Sequence, residues 1–339
     1  MNKQTAYTQK LVSILAIALL LSATFANVVY ADDKTPPQST PAPGTIEAVK
    51  AFVGNNVAIT YYGKGISSYA PAIATDVYYV GTDQYEVGIS PVRVIQFGPR
   101  PLLTTEQPRE YDTTDRYTSG ELEAMAISFI STHAPGVDIK ALIPAYGNKE
   151  EVNYFFRWED VSGKTLVGMR PFIQVGFSRG GDLLSYTNTL GLPALAPTIT
   201  GDIVYSNGGN YWRQYGPSQY WYYVNGQGWC GKYSTCTPAY MQYTWAGSTK
   251  SNYARWDNID YAQYATLKAF IPIVNSTSTR APYYVRANGT TYGPYLLNQF
   301  NYNDQWVPIV TLNNIQWVEL DDNTGETNKQ IGFDEIDLI

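Results

Sequence analysis

The chain is poor in the residues that carry most enzymatic chemistry. It has one histidine, His133, and two cysteines, Cys230 and Cys236, in 339 residues. A zinc site needs three or four clustered ligands, and a serine or cysteine nucleophile needs a base beside it. Neither requirement is met by one imidazole and two thiols in different halves of the chain. Charge is scarce too, at 15% Asp, Glu, Lys and Arg with a net of −6. An acidic balance argues against nucleic acid or an anionic membrane surface as partner. Neither a G-x-G-x-x-G fingerprint nor a P-loop is expected.

Only one long apolar run exists, Leu11 to Leu21, interrupted by Ser13. Lys3 and Lys10 precede it, and Val29-Tyr30-Ala31 closes it with compact residues where signal peptidase cuts. The run is short for a membrane span, and Asp32-Asp33-Lys34 follows at once, so residues 1–31 read as a cleaved export signal. Retention as an N-terminal anchor is the alternative. No cysteine follows the run, so a lipid anchor is not indicated. Cleavage removes two lysines and no acid, which takes the net charge from −6 to −8. The expected location is extracytoplasmic. In that oxidising setting Cys230 and Cys236 are expected to pair, which in the chain-entropy model stabilises a seven-residue loop by about 2.4 kcal/mol.

What is abundant is tyrosine, 30 residues, beside Asn, Thr and Gly. Such composition suits exported β-structure. Residues 32–44 are a Pro/Ser/Thr linker that cannot bury a core and is expected to be disordered. Residues 45–193 read as an α+β domain. Thr118-Ser119-Gly120-Glu121 is a capping box, and Leu122, Met125, Ala126, Phe129 and Ile130 then mark an amphipathic helix stopped by Pro135-Gly136. Strand-like runs follow at Asn153–Glu159, Pro171–Ser178 and Leu183–Asn188, with Gly180-Gly181-Asp182 as a turn. A weaker unit precedes it: Ile46, Val49 and Val53 on a short helix, then strands at Asp76–Val80, Gln84–Ile89 and Val92–Phe97, with a long loop from Ser67 to Thr75. A boundary is expected at Ala194–Thr198. Residues 199–339 have almost no helical periodicity and read as an all-β jelly-roll sandwich.

Helix followed by antiparallel sheet, given twice, resembles the PepSY-like propeptide modules of secreted bacterial proteins, chiefly over residues 118–190. That resemblance implies an inhibitor or chaperone of a secreted peptidase. The second half carries ordered elements: Leu267–Pro272, Thr279–Val285, Asn298-Gln299, Trp306-Val307, Val318–Leu320, Thr324–Glu326 and Phe333–Ile336. Their order resembles the golvesin C-terminal/xanthan-lyase type of accessory domain, a galactose-binding-like jelly roll. It implies a binding module appended to polysaccharide- or cell-wall-acting proteins, and no site residues. The family's Leu-Gly after Trp-Val is Pro308-Ile309 here, so a hairpin at that point is in doubt.

Gly176-Phe177-Ser178-Arg179-Gly180 matches the nucleophile-elbow pattern, which requires a strand-to-helix turn and a downstream histidine. A strand follows instead and the only histidine is upstream, so Ser178 reads as a hairpin-turn residue. His133 reads as a cation at a helix C-terminus. Glu150-Glu151 and Asp321-Asp322 read as solvated turns. A pair of carboxylates for glycoside hydrolysis would show only as an open cleft. Asp321, Asp322 and Glu326 could supply oxygens to a structural Ca²⁺, but Asn323-Thr324-Gly325 is equally a good turn. No other cofactor is implied.

The segment Tyr205 to Trp245 is the most unusual. Tyr211, Trp212, Tyr220, Trp221, Tyr222, Tyr223, Trp229 and Trp245 lie among Asn, Gln, Gly and Ser. Aromatic faces stack on sugar rings while amides and hydroxyls meet their hydroxyl groups. If Tyr220–Tyr223 is a strand, alternation exposes either Tyr220 with Tyr222 or Trp221 with Tyr223. The competing reading is that these aromatics fill a helix-poor core. The expected partner is an extracellular polysaccharide or cell-wall glycan, bound without catalysis through Tyr211, Trp212, Tyr220, Trp221, Tyr222 and Trp229. A secreted peptidase, or an undetected polysaccharide hydrolase activity, is the alternative.

Overall fold

The computed structural model describes residues 40–339, except 68, 163–168, 193–202, 206, 234–236 and 260. The expected export signal, most of the expected linker, Cys236 and the expected boundary at Ala194–Thr198 lie outside the described residues. Lys34–Ile339 forms one compact unit.

In the first half the elements are α1 (Thr45–Val53), β1 (Thr60–Ser67), β2 (Ala70–Val80), β3 (Asp83–Ile89) and β4 (Val92–Pro99). Then come α2 (Ser119–His133), β5 (Ile143–Pro144), β6 (Gly147–Lys149), β7 (Asn153–Glu159), β8 (Phe172–Ser178) and β9 (Leu183–Asn188). The described part of the linker is tied down. Ala42 N donates to Asp76 at 2.7 Å, and the Thr45 hydroxyl to the same carboxylate at 2.8 Å. α2 starts on the expected capping box, with both Thr118 and Glu121 engaged. Leu122, Ala126 and Ile130 are its buried face. Among the described residues nine strands join in one antiparallel sheet, in the order β1-β2-β3-β4-β9-β8-β7-β5 with β6 on β7. The two expected units are thus fused where β4 pairs β9. The expected loop Ser67–Thr75 is largely strand. Its Ala- and Pro-rich sequence has weak β propensity, but pairing of Ala70, Ala74 and Thr75 with β1 overrides it.

Alternation assigns the two faces of this sheet. Phe156, Trp158, Ile173, Val175 and Phe177 pack with the buried residues of both helices. The opposite face carries Asn153, Arg157, Gln174 and Thr187, all buried.

The second half contains β10 (Ile203–Tyr205), β11 (Trp212–Tyr215), β12 (Tyr222–Asn225), α3 (Gly228–Lys232), β13 (Tyr240–Trp245) and β14 (Tyr253–Trp256). It continues with β15 (Tyr261–Ile271), β16 (Ala281–Ala287), β17 (Thr290–Leu297), β18 (Gln305–Asp321), β19 (Gln330–Phe333) and β20 (Ile336–Leu338). Eight of these strands form one sheet and β12-β13-β19 a second, among the described residues. Trp212, Trp221, Trp256, Leu267, Val318, Ile331 and Phe333 belong to one core. Pro308 sits inside β18 at a register shift opposite Lys268. A bulge is where a strand tolerates a residue without an N–H, so no hairpin forms there.

The polar face of the nine-stranded sheet is covered by this second half. Asn153 donates to the Phe300 carbonyl at 3.0 Å and Gln174 to the Asn303 carbonyl at 3.1 Å. Gln96 donates to the Trp306 carbonyl at 2.9 Å, and Gln305 donates to Thr187. Contact is close enough to require glycine at one point: a Cβ on Gly98 would lie 2.6 Å from the hydroxyl of buried Tyr302.

Candidate functional site

The aromatic segment divides between core and surface. Trp212, Trp221 and Trp229 are 7%, 5% and 3% exposed. Trp212 stands edge-on to Trp256 at 5.0 Å and Trp221 to Phe333 at 4.8 Å. Trp229 packs on Phe270 and Trp306 at 5.4 and 5.2 Å. These three are therefore core, as indole rings in a sandwich with little helix to fill it should be. Tyr211, Tyr220, Tyr223 and Trp245 are 44%, 51%, 52% and 47% exposed. Tyr220 closes a 3-10 turn, Ser218–Tyr220, and only Tyr222 onward is strand. Neither pair expected from alternation over Tyr220–Tyr223 is exposed together: Tyr220 and Tyr223 are exposed while Trp221 is buried, because the strand begins only at Tyr222.

The sheet register finds a set that linear reading misses. β12 pairs β13 with Tyr222 opposite Tyr243, so both side chains share a face. Their rings lie 4.9 Å apart at 21°. Two residues on, Trp245 points to that same face. The other face of β13 stands opposite Ile331 and Phe333, which are buried. Tyr222, Tyr243 and Trp245 thus form a row on the outward side of the small sheet.

Other candidates resolve as follows. Ser178 ends β8 in a hairpin, its Oγ accepting from Asp182 N at 2.9 Å. His133 stacks against Phe52 and Phe129 at 4.4 and 4.3 Å, and burial lowers its pKa. It packs between aromatic rings at the end of α2, where burial disfavours the cation expected there. Cys230 is buried, and the expected bond to Cys236 falls outside the described residues. Contrary to expectation, a G-x-G-x-x-G spacing does run through Gly226, Gly228 and Gly231. It opens the five-residue α3 between antiparallel strands, and Trp229 N donates to the Asp334 carboxylate at 2.9 Å. An acidic side chain occupies the place a phosphate would need, so no dinucleotide site forms.

The calcium set does not assemble. Asp322 accepts from Ser251 N and Asn252 N, both at 2.8 Å. Glu326 accepts from Thr279 N at 2.9 Å and from the Ser278 and Thr279 hydroxyls. Among the described residues no cluster of three metal-binding side chains exists. Asp321 and Asp322 are buried, contrary to the solvated turn expected, because they clamp the loop before β14. Burial pushes the Asp321 carboxyl up to about 6, with Glu319 and Asp322 adding to it and Lys250, 3.7 Å away, opposing. A carboxyl with a raised native pKa stabilises the fold fully only below about pH 4, and that contribution is lost as pH rises through 6. Asp321→Asn is expected to remove about 2 kcal/mol of stability change between about pH 4 and about pH 7.5. Urea titrations of both proteins at the two pH values measure it; parallel behaviour would refute the assignment.

One open cleft, of about 430 Å³, brings two carboxylates together, Glu159 and Asp304. Asp304 accepts from Lys232 Nζ at 2.6 Å and from the Tyr233 hydroxyl at 2.8 Å. Burial and that carboxylate hold the Tyr233 phenol far above its ordinary value. Glu159 faces Arg157 at 3.2 Å and Arg170 at 3.8 Å. Each carboxylate is engaged by cations, an arrangement suited to holding a polar ligand more than to passing protons.

No protein-family model and no curated protein matches the chain. Among the described residues no helix is long and apolar enough to cross a membrane. Solved structures aligned with it include a Paenibacillus xanthan lyase, at 11% identity and TM-score 0.33 over 79% of this chain. The chain spans only 35% of that lyase. An exo-β-1,3-galactanase from Phanerochaete chrysosporium, solved with galactose, aligns at 10% identity and TM-score 0.29 over 85% of this chain and 70% of its own. The Bacillus megaterium YpeB C-terminal domain aligns at 8% identity and TM-score 0.32, over 65% of this chain and 93% of its own. Similarity at this level bears on neither the fold nor the site.

Proposed function

We propose that this is an exported, non-catalytic protein that binds a carbohydrate of the extracellular matrix or cell envelope through its C-terminal β-sandwich. The observation that carries the reading is the row Tyr222, Tyr243 and Trp245 on the outward side of the small sheet. A stacked tyrosine pair beside a half-exposed indole offers apolar surface to sugar rings. Its strand-borne placement keeps the rings positioned before the ligand arrives, which lowers the ordering cost of binding.

Trp245→Ala is expected to weaken retention on the bound polysaccharide by about tenfold, since one aromatic stacking contact is worth on the order of 1 kcal/mol or more. Pull-down on a panel of insoluble polysaccharides and cell-wall fractions, with a melting curve to confirm folding, measures it. The proposal falls if the wild type is retained on none of them.

A further inference from the structure

A second cleft, of about 190 Å³, lies between residues 99–111 and the hairpin β16–β17. Its walls join the two halves, because Leu102 and Leu296 exchange backbone hydrogen bonds of 3.0 and 2.8 Å. Three arginines line it, Arg100, Arg109 and Arg280, against one carboxylate, Glu106. That is a local excess of positive charge in a chain of net −6.

The arginines are not equivalent. Arg100 is committed, gripping Glu106 with two nitrogens. Arg109 is held by Asp83 at 3.4 Å and stands 3.9 Å from Asp182, with its guanidinium over the Tyr111 ring. Arg280 makes no side-chain hydrogen bond or ion pair among the described residues. Beside it the buried amide oxygen of Asn298 has no donor. An idle guanidinium asks for an oxyanion. Leu102 and Leu296 add an apolar wall. The volume corresponds to about six water molecules of liquid, the scale of one sugar ring.

We infer that this cleft binds a carboxylate-bearing sugar, a uronic acid residue, with Arg280 on the carboxylate and the two leucines against the ring. The inference rests on the glycan reading for the sugar part of the ligand, but on this cleft alone for its charge.

The test is calorimetric titration of the whole protein with a glucuronate trimer and a glucose trimer, at low and high salt. The wild type is expected to prefer the glucuronate trimer by about tenfold, the preference shrinking as salt screens the pair. Arg280→Gln is expected to abolish the preference, and Arg280→Lys to keep part of it, because lysine retains charge but not the planar fork. A wild type that does not prefer the glucuronate trimer, or an Arg280→Gln protein that still does, overturns the inference. Retention on neutral polysaccharide that depends on Trp245 reports on the aromatic row separately, so either idea can fail without the other.

Discussion

Replacing Trp306 by alanine is expected to cost about 4 kcal/mol of stability and to weaken both halves together. Trp306 is a residue of β18, in the second half, yet it belongs to a core shared with Tyr69, Ile95 and Phe172 of the first. Its ring meets Trp229 at 5.2 Å and Phe270 at 5.3 Å. Its backbone reaches across as well: N–H to the Tyr69 hydroxyl at 3.2 Å, and carbonyl from Gln96 at 2.9 Å. Truncation leaves a cavity in a layer that both halves line, and neither can close it alone. Urea unfolding followed by tryptophan fluorescence and by far-ultraviolet circular dichroism measures the effect. The expectation is one coincident transition in the wild type and a lower midpoint in the variant. A change under about 1 kcal/mol, or two separate wild-type transitions, would show that the halves are energetically independent.

Lys149 is the second position of large expected effect. Its amine is buried and donates to the Ser276 carbonyl at 3.0 Å, the Ser276 hydroxyl at 2.8 Å and the Gln299 carbonyl at 2.7 Å. All three acceptors belong to the second half. Lys149→Met keeps much of the volume but leaves these acceptors without a donor, at an expected cost of about 3 kcal/mol near neutral pH. Burial holds the amine well below the ordinary lysine range. A depressed native pKa means that the folded state resists protonation. Lys149 therefore costs stability at pH below its native pKa, and that cost fades as pH climbs toward the unfolded value near 10.4. The wild type should gain on the methionine variant between about pH 7.5 and about pH 9.5. Equal stability of the two proteins at both pH values would remove Lys149 from the interface account.

Much of the local structure was legible along the chain. The capping box at Thr118 and the spacing of Leu122, Ala126 and Ile130 specify α2 because helix termini and helix faces are matters of nearest neighbours. The runs Asn153–Glu159 and Leu183–Asn188 are strands with the expected ends. The loop expected before Thr75 was misjudged because strand formation there depends on partners distant in sequence. The aromatic row was half legible. Trp212, Trp221 and Trp229 draw attention by composition, yet their size is what places them in the core. Tyr243 was invisible, since only the β12–β13 register sets it beside Tyr222.

By itself the sequence determined the β-rich class and which residues alternate along each strand, because propensity and period are local properties. Only the tertiary structure decided what each face meets. Asn153, Gln174 and Thr187 alternate with apolar residues as if bound for water. They are buried because backbone carbonyls and side chains of the second half satisfy their hydrogen bonds. A polar face is compatible with solvent or with a matched polar partner, and period alone does not distinguish them. The same holds for Arg280 and Asn298, ordinary residues in sequence, which flank the paired Ala281 and Leu297 of one hairpin and line a cleft only because residues 99–111 close its other side.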